Sequence, residues 1–196
     1  MSLTNPLDDA EVTDPRAMRA LAHPTRLAIL SRLQRHGPST ATGLSEHVGA
    51  TPSVVSWHLR HLGEFGLVTP YDAAGDKRQR WWQAPKRGFR FTVPDDTEGQ
   101  AAARLLRSHL RTSAAAQVDR WAHEVEPLLD GDWDRVAGTA NTRVRVSAQE
   151  AAGLHEDIER LLAPYVLRAE ADAPTTARAV RVLRFFMPAA DEAGDV

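Results

Sequence analysis

The chain has 196 residues, 42% hydrophobic and 26% charged, enough apolar content to bury a core and too much for a disordered polyampholyte. It holds no cysteine, which excludes disulfides, zinc ribbons and thiolate metal sensors and fits a reducing cytoplasm, the expected location. The net charge of −2 conceals an asymmetry, because residues 15–91 carry 12 Lys+Arg against 4 Asp+Glu; a basic module beside an acidic body suits a polyanion at one end.

Residues 1–13 are acidic and polar, read as a flexible leader and do not resemble a signal peptide. No stretch approaches the roughly 18 apolar residues of a membrane span. Helical periodicity begins at Asp14, a capping residue followed by Pro15, with Met18, Leu21 and Ala22 as its stripe. A second helix runs over Pro24–Arg35, burying Leu27, Ile29, Leu30 and Leu33, and Gly37-Pro38 ends it. Thr40 caps a short helix that Gly49 stops, and Thr51 caps the next, with Pro52 at its first position and its end near Phe65. Two short helices joined by such a turn form a helix-turn-helix. Leu67–Tyr71 and Gln79–Ala84 are predicted strands around a turn at Gly75 with a basic end, a hairpin wing, and Phe89–Thr92 adds a short strand. Val93–Asp96 is the expected boundary between a module over 14–92 and a region over 97–196.

From Thr97 to about Leu129 one long helix is predicted. Leu106, Leu110, Trp121, Val125 and Leu128 recur on it at helical spacing, a narrow stripe suited to dimerisation. The last third reads as β-α-β: alternation over Thr142–Val146, a helix opened by the capping box Ser147-Ala148-Gln149-Glu150, and a strand over Arg178–Met187. The expected fold class is therefore mainly α with small β, a winged helix-turn-helix followed by a long dimerisation helix and a β-α-β extension.

The segment starting at Thr51 carries the functional signal. Val55, Leu59 and Leu62 make one apolar face, which must point at the core. Ser53, Ser56, Trp57 and Arg60 then occupy the opposite face. A recognition helix needs this division: one side anchors it, and the other brings short hydrogen-bonding groups and a long cation to the major groove of double-stranded DNA. Lys77, Arg78 and Arg80, clustered after the hairpin tip, suit contacts to phosphates or a minor groove.

The runs LAHPTRLAIL and GLSEHVGATPSVVSWHLRHLGEFGLV, followed by a Gly-containing basic hairpin, resemble the ArsR-type winged-helix regulators. The resemblance covers about residues 14–92 and rests on His23-Pro24, Arg26, Ser53, Ser56, His58-Leu59, Leu62 and Gly66-Leu67-Val68. It implies a homodimer, a palindromic operator and repression relieved by an effector, which it leaves unnamed. Metal-sensing members place ligands where this chain has Thr40 and Thr42, or pair an Asp-x-His with a His-x-x-Glu on the dimer helix. Here His123 and Glu126 match the second half, Leu110 and Thr112 break the first, and His109 is out of register, so no metal and no cofactor are expected. His58 and His61 read as a core-edge and a surface histidine. Arg143, Arg145, Arg178, Arg181 and Arg184 read as the solvent face of a small sheet, with an anionic effector as the competing use. The chain has no Cys nucleophile, no Gly-rich phosphate loop and no Ser/His/acid set in a recognisable context, so an enzyme is not expected. Two other functions stay open: a regulator whose C-terminal region binds a partner protein, and a sequence-nonspecific architectural DNA binder.

Overall fold

The computed structural model describes residues 5–73 and 79–189. Asp8–Ala137 form one compact unit, and Gly138–Val196 with Met1–Leu7 form another. Mainly helical structure with small sheets is found, as expected. Among the described residues, no helix is long and apolar enough to cross a membrane.

The first unit opens with β1 (Ala10–Val12), α1 (Pro15–Leu21) and α2 (Pro24–His36). The Asp14 side chain accepts a hydrogen bond from the Arg16 backbone N–H at 2.8 Å, satisfying one of the free donors of the first turn. β2 (Ser39–Thr40) precedes α3 (Ala41–Val48), whose first turn is capped by Thr40 accepting from the Gly43 N–H. Gly49 follows at φ +63°, the left-handed conformation that ends a helix and lets the chain reverse. Thr51 then caps α4 (Pro52–Gly63). Gly66, at φ +67°, turns the chain so that the Leu67 N–H returns to the Leu62 carbonyl oxygen, and Leu67 and Val68 enter the core.

β3 (Thr69–Tyr71) and β4 (Trp81–Gln83) pair antiparallel, with Pro70 opposite Trp82, and β2 completes the sheet on the far side of β4. Trp82 is buried and Trp81 half-buried, the division that strand alternation predicts. The core gathers Met18, Leu21, Ile29, Leu30, Leu44, Val55, Leu59, Leu62 and Val68.

Residues 10–12, expected within a flexible leader, instead form β1, which pairs in parallel with β5 (Phe89–Phe91) and buries Val12. Three residues show no readable alternation, and the strand is defined by a partner almost eighty positions away.

α5 (Thr97–Glu124) is the expected long helix, prolonged by a 3₁₀ turn at Glu126–Leu128 and followed by the short α6 (Gly131–Asp134). It does not open a separate region at residue 97. Its first half packs on α1 and buries Ala102, Ala103 and Leu106 in the core of the module, and Arg19 Nη1 meets Glu98 Oε1 at 2.6 Å between the two helices. Leu106 is therefore unavailable to a second chain, and Leu110 lies partly buried against the same core. The rest of the stripe differs: Trp121 is half-buried, Val125 is 44% exposed and Leu128 is 81% exposed.

In the second unit the capping box at Ser147 opens α7 (Ala148–Val166) as expected: the Ser147 N–H donates to Glu150 Oε2 at 2.7 Å, and Ser147 Oγ accepts from the Glu150 N–H. A 3₁₀ turn covers Glu170–Asp172. The flanking strands of the expected β-α-β are not formed: among the described residues, neither 142–146 nor 178–187 belongs to a sheet. Alternation assigns faces to an extended segment, but a strand also needs a neighbour to take up its N–H and C=O groups. Within this unit Arg184 reaches the buried Glu159 at 3.7 Å, His155 Nε2 lies 3.2 Å from the same carboxylate, and Phe186 packs on the His155 ring. Side-chain contacts with α7 thus hold the 178–187 segment in place of ladder pairing. Arg143, Arg145, Arg178 and Arg181 are exposed.

Candidate nucleic-acid interface

α4 presents two different faces. Val55, Leu59 and Leu62 are fully buried, so the helix is held on one side by close packing. Ser53, Trp57 and Arg60 are exposed on the other side, and Ser56 is half-buried between them. Val54, which the spacing argument passed over, is also exposed and widens the outward face. The Arg60 guanidinium folds back along its own helix, Nε donating to the Ser56 carbonyl oxygen at 3.3 Å. No carboxylate among the described residues pairs with it, leaving its charge for an external acceptor.

Aromatic rings collect at the middle of this helix. Trp57 is 54% exposed, meets the edge of His58 at 4.9 Å between centroids and stacks on His61 at 5.7 Å. His58 occupies the remaining inward position of the i, i+3, i+4, i+7 pattern that starts at Val55, and is only 4% exposed. Its ring lies 4.8 Å from that of His23, at the N-terminus of α2. The Nδ1 atoms of both are buried and find no hydrogen-bond partner among the described residues. Arg26, also buried, donates through Nε to the Ala20 carbonyl oxygen and through Nη2 to that of Arg19 at 3.4 Å. The sequence places His58 at the core edge, but its contact with His23 depends on how α2 and α4 cross.

This arrangement makes the module sensitive to acid. Burial pushes both imidazoles below the usual histidine value. Arg26 and His109 add to the shift at His23, and His23, Arg26 and His61 add to it at His58. The unfolded chain therefore takes up protons first as pH falls, so stability is full above the ordinary imidazole value of about 6.5 and declines below it. Melting temperature should fall between about pH 7.5 and 5.5, and His58→Gln should flatten that fall. An unchanged slope in the variant would place the sensitivity elsewhere.

On the wing, Arg80 is exposed and its guanidinium carbon sits 4.5 Å over the Trp82 ring, which orients the charge without neutralising it. Lys77, Arg78 and the turn at Gly75 lie outside the described residues. His123 and Glu126 are both exposed, and His123 Nδ1 contacts the Asp119 carbonyl oxygen at 2.6 Å. Among the described residues, no three His, Cys, Asp or Glu side chains converge as a metal site would require.

Residues 23–69, from the start of α2 to the first residue of β3, match the family model described as bacterial regulatory protein, arsR family. The HTH-type transcriptional regulator NmtR of Mycobacterium tuberculosis (strain ATCC 25618 / H37Rv) is 45% identical over 71 residues, which is 36% of this chain. The match spans 58% of the length of that relative. Among solved structures, a possible transcriptional regulator for arsenical resistance is 28% identical, with 62% of this chain and 92% of that chain covered and a TM-score of 0.32. The YusO protein from Bacillus subtilis is 14% identical, with 74% and 83% covered and a TM-score of 0.33.

Proposed function

We propose that this chain, whose residues 23–69 match the family model described as bacterial regulatory protein, arsR family, is a member of that family and a transcriptional repressor that binds a palindromic operator as a homodimer. The observation that carries the reading is the division of α4. A helix anchored by Val55, Leu59 and Leu62 offers Ser53, Trp57 and Arg60, which has no carboxylate partner among the described residues, outward, and this suits base edges in the major groove. Arg80 on the neighbouring sheet suits the phosphate backbone. A helix that reads DNA and a two-fold operator call for two modules held a fixed distance apart. The end of α5 and the 3₁₀ turn that follows it, with half-buried Trp121 and exposed Val125 and Leu128, form the surface we assign to that pairing. Release by an effector and location in the cytoplasm follow the same family reading, which includes no catalytic step.

Selection of bound fragments from genomic DNA, followed by footprinting, tests this directly. A repressor protects a discrete palindromic site, whereas an architectural binder protects none. Affinity for the recovered site should fall steeply with salt, since cations on phosphates release counterions. Arg80→Ala should lower the slope of that dependence by about one unit while leaving sequence preference intact. Binding that ignores salt would refute the phosphate contacts.

Sedimentation should find the intact chain dimeric at micromolar concentration. Leu128→Glu, which puts a charge on an exposed apolar position, should shift it toward monomer, while its melting temperature measured below the dimerisation concentration should match that of wild type. A wild-type chain that sediments only as monomer would overturn the pairing.

A further inference from the structure

We propose that Trp57 reads the 5-methyl group of a thymine in the major groove, and that His61 is the positioning residue that holds its indole for that contact. The proposal rests on the operator-binding reading above and adds what one position of the operator must be.

An exposed tryptophan is ordinarily free to turn about two side-chain torsions. Trp57 is braced on two sides instead. Its ring lies parallel to that of His61, 4° between planes, and the edge of His58 closes a second side at 65°. His61 is itself fixed: Nδ1 lies 3.2 Å from Glu64 Oε2, and its ring stands edge-on to Phe65 at 5.5 Å and 88°. His58 is anchored below against His23. A large apolar surface is thus held still on the outward face, so little freedom remains to be lost when something packs on it.

The chemistry of that surface selects its target. Indole carries no charge, which disfavours phosphate, and offers one N–H donor, which cannot make the bidentate contacts that read guanine or adenine. The apolar feature of the major groove is the thymine methyl. Stacking on a base would require that base to leave the duplex, a cost that a helix lying in the groove does not incur. Ser53 and Arg60, on the same face, leave polar reading to other positions.

The test uses the full-length chain and the operator recovered by selection. Each thymine of one half-site is replaced in turn by deoxyuridine, which removes only the methyl. Wild type should lose about fourfold in affinity at one thymine, the value of one buried methyl, and be indifferent at the rest. Trp57→Ala should be indifferent at all of them. His61→Ala should lose most of the sensitivity, and His61→Phe, which restores a flat ring beneath the indole, should keep it. A general loss of stability or of positive charge would weaken binding to both versions of the DNA equally and leave their ratio unchanged. Thymine sensitivity that survives Trp57→Ala, or is missing from wild type, overturns the methyl contact. Sensitivity that survives His61→Ala overturns the positioning role alone. If no discrete site is protected, the operator reading fails first, and this proposal falls with it.

Discussion

Leu106→Ala should destabilise the intact chain by about 2–5 kcal/mol, the range for removing a large side chain from a close-packed core. Leu106 is fully buried in the core cluster of the module. Its buried neighbours on α5 are Ala102 and Ala103, too short to move into the space left behind. The cavity should therefore stay open, placing the cost in the upper part of the range. Leu128→Ala is the matched control, because an 81% exposed leucine should change stability by no more than about 0.5 kcal/mol in the monomer. Urea unfolding followed by circular dichroism, at a concentration below dimerisation, measures both. Equal midpoints for the two variants would mean that the first half of α5 does not belong to the core of the module.

Arg60→Ala should cost about 1–3 kcal/mol of operator affinity and relax the preference at one base pair in each half-site. The side chain is exposed and lacks a carboxylate partner among the described residues, so its removal leaves nothing unsatisfied within the protein. Its hydrogen bond to the Ser56 carbonyl oxygen runs along its own helix and is easily exchanged for one to a guanine edge. Melting should be unchanged, which separates this effect from a folding defect. The measurement is a titration against the operator and its single-base variants. If affinity and preference both survive the substitution, Arg60 does not face the groove and the outward face of α4 must be reassigned.

These expectations differ in how much of them can be read from the chain. The outward position of Arg60 is already present in the order of residues: Val55, Leu59 and Leu62 identify the inward side of α4, and the outward side follows from helical geometry. The burial of Leu106 is decided by the fold. Leu106, Leu110, Trp121, Val125 and Leu128 form one stripe by spacing, yet the structure divides it, with the first buried in the core of the module and the last exposed. Periodicity says that a face is apolar and is silent about what covers it. The same holds for 142–146 and 178–187, where alternation is present and ladder pairing is not. Trp57 lies between these cases. Its outward direction is legible, whereas its bracing by His58 and His61 depends on ring orientations set by Glu64, Phe65 and His23.

The amino-acid sequence by itself determined where helices begin and end and which side of α4 faces inward. Caps such as Asp14, Thr40, Thr51 and Ser147 act within three residues, and helical spacing within two turns, so both are local. Tertiary structure alone decided the parallel pairing of β1 with β5, the addition of β2 to the wing sheet and the meeting of His23 with His58. It also decided which half of α5 serves the core of the module. Each of these depends on a contact between distant segments. Such a contact forms only when burial and hydrogen bonding outweigh the entropy lost in closing the intervening chain, and that balance is not written in any short stretch of residues.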